Sequence, residues 1–137
     1  MKNHFDLTDK DFENSFEDCS LNPVLFGHEA HLRLAWIHVR KYGEARAIQN
    51  VTTQLQKFVV FNGENDKYNH TLTVAAIKAI SHFIKKSSSH NFKDFMIAFP
   101  RLKNNFKDLM SSHYALDIFT SEKAKKEYIE PDLLPFD

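Results

Sequence analysis

"FGHEAHLRLAWIHVRKYG", residues 26–43, holds no proline and is framed by two of the chain's three glycines. Such a stretch can run unbroken as one helix, from about Gly27 to Tyr42, with Gly43 as its stop. Leu32, Ala35, Val39 and Tyr42 mark its apolar face. His28, His31, Ala35, His38 and Tyr42 fall in one stripe at helical spacing, so the three histidines are expected to point with the core. Glu29, Arg33 and Arg40 lie opposite, where Glu29 and Arg33 can pair across a solvent-facing turn.

The same periodicity extends in both directions. Upstream, Thr8 is a good N-cap, Leu7 can staple onto Phe12, and Phe12, Phe16 and Cys19 share a face up to "SLNP". Downstream, Ile48, Val51, Leu55 and Phe58 define a third helix, about Glu44 to Phe61, which "NG" at 62–63 closes. "ENDKYN" reads as a loop. A fourth helix is expected from near His70 to Lys86, carrying Leu72, Thr73, Ala76, Ile80 and Phe83. Shorter helical segments follow, capped by Asn91 and Ser121 and interrupted by Pro100. The final "EPDLLPFD" reads as an extended tail lying on the body through Leu133, Leu134 and Phe136. The fold class is therefore all-α: a single helical domain over 1–137, a bundle of about four main helices with short C-terminal helices.

Composition limits the function. Lys plus Arg and Asp plus Glu each total 18, so no global field draws the chain to nucleic acid. No stretch approaches the roughly 18 apolar residues of a membrane span, and the acidic N-terminus is unlike a secretory signal. One cysteine, Cys19, allows no internal disulfide and suits a cytoplasmic setting. Three scattered glycines build neither a phosphate loop nor a nucleophile elbow.

Three stretches, "HEAHLRLAW", "KYNHTLT" and "HYALDIFTSEKAKKEYIEPDLLPFD", resemble an uncharacterised group of small all-helical bacterial proteins. The resemblance spans most of the chain and implies a helical fold; it brings no activity, cofactor or partner with it. The group's pattern sets a histidine directly after the tyrosine of the second motif. Here Asn69 follows Tyr68 and His70 comes one later, turned by about 100°.

Two imidazoles at i, i+3 can reach one divalent metal ion when a third group joins them. His28, His31 and His70 are the candidate metal ligands. His38 lies about 10 Å further along the axis than His31 and cannot share that ion. "HEAH" differs from the H-E-x-x-H spacing of metalloproteases. His38, Trp36, Tyr68 and Thr73 are the candidate lining of an organic ligand pocket between helices. The bland alternative is a set of buried histidines in polar contact with carbonyls, hydroxyls or water. Three functions remain in view: a module binding a small ligand or metal ion, a metal-dependent enzyme using the same histidines, and a homodimeric interaction module with structural histidines.

Overall fold

Side-chain caps from Thr8, Asn69, Asn91 and Ser121 open four of the helices. The computed structural model describes residues 3–136, among which there are eight α-helices and no strand. The chain divides into two compact units, the first ending at Tyr68 and the second starting at Asn69.

In the first unit Thr8 accepts a hydrogen bond from Asp11 N at 3.1 Å and opens α1 (Asp9–Glu17), with Asp9 and Asp11 in the turn where the helix dipole favours anions. Cys19 ends it in the left-handed region, φ 64°, with its side chain buried. α2 (His28–Tyr42) and α3 (Glu44–Phe61) are joined by Gly43 alone, whose φ of 87° and ψ of 165° are open to glycine only. α3 stops in a Schellman motif: Gly63, φ 70°, donates to Val60 O, and Glu64 N donates to Val59 O at 2.7 Å. Phe16 joins the helices, with its ring centroid 4.7 Å from Phe58 and 4.7 Å from Phe26.

α2 departs from the simple amphipathic reading. Every residue from Leu32 to Val39 is buried, so the helix has no solvent face over two turns. Arg33 and Glu29 consequently do not pair across an exposed turn. Arg33 is buried and donates to Asp9 through Nε at 3.1 Å and Nη2 at 2.8 Å, to Leu7 O, and to His4 O. Its guanidinium also lies over the Phe12 ring, 4.8 Å from the centroid. Glu29 pairs instead with His4 Nε2 at 2.9 Å. The reason is local: the 3-10 turn His4–Asp6 covers this side of α2, and a buried guanidinium needs all its donors used.

The second unit is built on α4 (His70–Ile84), followed by α5 (Phe92–Ala98), α6 (Arg101–Asn104), α7 (Phe106–Ser111) and α8 (Glu122–Lys126). Asn69 caps α4 by accepting from Leu72 N at 2.9 Å, while its Nδ2 donates to Ile118 O at 2.8 Å. Two residues on, Thr71 is fully buried; its hydroxyl donates to Glu127 O at 2.6 Å and accepts from Ile129 N at 3.0 Å. The start of α4 thus pins the C-terminal segment. The tail is held mainly by backbone: Tyr114 Oη donates to Ile129 O, Leu133 N to His113 O, and Phe136 stacks on the His113 ring at 4.1 Å. Leu133 and Leu134, expected to face the body, are exposed.

Candidate functional site in the first helix hairpin

The Gly43 turn brings the last turns of α2 against the first turns of α3, and α1 runs beside both. Each helix contributes a polar pair at i, i+4: Glu13 and Glu17 from α1, His38 and Tyr42 from α2, Asn50 and Gln54 from α3. His38 is 1% exposed. Its Nδ1 lies 3.4 Å from Asn50 Nδ2, and its Nε2, equally buried, meets no protein partner. An amide NH2 can only donate, so Nδ1 accepts and the neutral ring carries its proton on Nε2. That leaves one unpaired donor inside the hairpin. Gln54 supplies the complement, because its Nε2 donates to Glu17 at 3.5 Å while its Oε1 is buried without a partner.

Tyr42 forms the outer wall. Its ring sits 5.3 Å from that of His38, and the residue is 40% exposed. Its hydroxyl donates to Glu13 Oε2 at 2.6 Å, and Lys41 Nζ donates to Glu13 Oε1 at 3.0 Å. Burial alone would raise the Glu13 pKa, but the Tyr42 and Lys41 hydrogen bonds outweigh it and hold the carboxyl below its ordinary value. At His38 burial dominates and lowers the pKa; Lys41 acts in the same direction, and Glu13 and Glu17 oppose it. The ring is neutral at pH 7.

The other sequence candidates are dispersed. His28 and His31 stand one turn apart at the start of α2, but both are exposed, against the expectation that they look inward. In the α2 stripe that holds them the buried positions are Ala35 and His38, and the two rings sit on the first turn, short of that buried section. His31 Nδ1 lies 2.9 Å from Gly27 O, and Phe26 packs on one face of the ring with centroids 3.9 Å apart. Partial desolvation of the ring against Phe26, on a residue that still keeps solvent-exposed surface, lowers its pKa; the Gly27 bond opposes, and His28 lowers it further. His70 is the first residue of α4, in the second unit. Among the described residues, no group of three His, Cys, Asp or Glu side chains is arranged to hold a metal ion.

Of the candidate pocket lining, Trp36 is buried with Arg40 over its ring at 4.8 Å, and the Thr73 hydroxyl is spent on Asn69 O at 2.7 Å. Tyr68 is half-buried and hydrogen-bonded to Gln56; burial pushes its pKa up to about 12. Only His38 of that set lies at an interior polar site. Asn50, Gln54 and Glu13 were not singled out in the sequence, and the available signal was their i, i+4 spacing with Glu17 on flanking helices. In the second unit a cavity of about 260 Å³ lies along residues 107–119. Its hydroxyls are already committed, Tyr114 to Ile129 O and Ser111 to Lys107 O.

Compared with known proteins, the chain matches no protein-family model, no curated protein and no solved structure.

Proposed function

We propose that the first unit is a binding module that holds a small neutral molecule beside His38, between α2 and α3, without turning it over. The observation that carries this reading is the buried Nε2–H of His38 with no protein acceptor. Leaving such a donor unsatisfied costs about 1–3 kcal/mol, which a resident hydrogen-bond acceptor returns. Gln54 Oε1 asks for a donor in the same hairpin, so an occupant carrying both, such as a hydroxyl or a primary amide, satisfies the pair. Charge favours neutrality: Glu13 and Glu17 face the ring against one lysine, Lys41, and this balance repels an anion.

The test is thermal unfolding of the purified protein with a panel of small alcohols and amides, acetamide and glycerol among them. A ligand that binds the folded state stabilises it by RT ln(1 + L/Kd), where L is the free ligand concentration, so Tm rises with the logarithm of ligand concentration above Kd. The expected result is a rise in the wild type that follows this logarithmic dependence for particular solutes and is lost in both His38→Leu and Gln54→Leu. A rise that survives in both variants, or the same small rise for every solute in all three proteins, overturns the reading.

A further inference from the structure

We propose that His28 and His31 form a two-imidazole site for a divalent transition metal on the exposed first turn of α2, independent of the interior site at His38. The pair is spaced i, i+3 on one helix, which sets both rings on the same side of the first turn. His31 is already oriented as a metal-ligating histidine is. Its Nδ1 hydrogen donates to Gly27 O at 2.9 Å, which fixes the tautomer and leaves the Nε2 lone pair free to coordinate. Phe26, packed on one face of the ring at 3.9 Å, limits its rotation. Both residues are exposed, so the ion can enter from solvent and keep water in its remaining positions.

The chemistry narrows the class of ion. Imidazole nitrogen suits Zn(II), Cu(II) and Ni(II), whereas Mg(II) and Ca(II) prefer oxygen ligands. With no third protein ligand among the described residues, and with the positive end of the α2 dipole nearby, the site is weak and exchangeable. Both imidazoles are therefore required for retention.

The experiment uses the full chain without an affinity tag, on an immobilised Ni(II) column and in a Zn(II) titration followed by histidine ring NMR signals. The expected result is retention of the wild type and selective shifts of His28 and His31, with retention lost in His28→Ala and in His31→Ala. His90, exposed elsewhere, is the control, and His90→Ala keeps retention. His28 begins the helix and is exposed, so its variant stays folded, which the unchanged helical circular dichroism of His28→Ala checks. Retention unchanged in both single variants, or abolished by His90→Ala, overturns the proposal. The His38→Leu protein binds Ni(II) as the wild type does, which separates failure of this site from failure of the interior one.

Discussion

Asn50 Nδ2 approaches His38 Nδ1 to 3.4 Å from the neighbouring helix, and this one contact fixes which ring nitrogen of a fully buried imidazole carries the proton. It ties the protonation state of the hairpin core to packing between α2 and α3.

The pH dependence follows from that core. The folded His38 pKa lies below the ordinary 6.5 because burial disfavours the cation, so the unfolded chain takes up the proton first as the medium is acidified. The stability that this ring contributes is complete above about pH 6.5 and is lost as pH falls from there toward its folded pKa. Glu13 acts in a lower window. Its folded pKa is below 4.5, so its contribution is complete above that value and is lost as pH falls through the folded pKa. Urea unfolding of the wild type and His38→Leu from pH 8 to pH 4 checks this: the difference between the two curves is steepest just below pH 6.5 and flat above pH 7.5. A difference independent of pH refutes it.

Much of the architecture was legible because local chemistry and tertiary packing agree. Thr8, Asn69, Asn91 and Ser121 cap the helices they precede, and Gly43 and Gly63 sit where positive φ is required. Arg33 was not legible. Helical spacing put it opposite the apolar stripe, but that argument assumes one solvent face, and α2 has none from Leu32 to Val39. The helix is covered by the 3-10 turn near His4, a contact between positions far apart in sequence that no periodicity encodes. The same limitation hid the interior site: three i, i+4 pairs on three helices become one cluster only when the hairpin closes.

Arg33→Leu tests whether that buried guanidinium holds the N-terminal turn. It removes the donors to Asp9, His4 O and Leu7 O, and breaking a buried ion pair of this kind costs about 3 kcal/mol, the lower end being apt because Asp9 is half exposed. Chemical denaturation measures the loss, and hydrogen exchange locates it. Fast exchange spreads through residues 4–9 in the variant.

Gly43 isolates backbone strain from packing. No heavy atom lies within 4 Å of where a Cβ would sit, so Gly43→Ala introduces no clash, yet its φ of 87° with ψ of 165° is a region alanine avoids. The expected cost is about 1–3 kcal/mol, appearing as a lower urea midpoint at unchanged slope. Gly63→Ala, in the milder left-handed region at φ 70°, costs about 1 kcal/mol. Equal losses at the two positions would mean that the conformational argument fails.

Thr71 decides whether the second unit depends on its C-terminal segment. Its hydroxyl links the start of α4 to the chain at 127–129, donating to Glu127 O and accepting from Ile129 N. Thr71→Val keeps the volume and removes both bonds, leaving a carbonyl and an N–H without that partner in a buried setting, at a cost of about 2 kcal/mol. Thr71→Ser keeps the hydroxyl, loses one methyl group and costs about 1 kcal/mol. The discriminating measurement is local: in the valine variant the amides of Ile129 and Leu133 exchange much faster, because Ile129 N loses its acceptor and the anchor upstream of the Leu133 bond to His113 O is gone. Serine leaves both protected. If valine lowers global stability with no change in tail exchange, Thr71 acts through α4 packing alone, and the tail is held by Tyr114 and His113 without it.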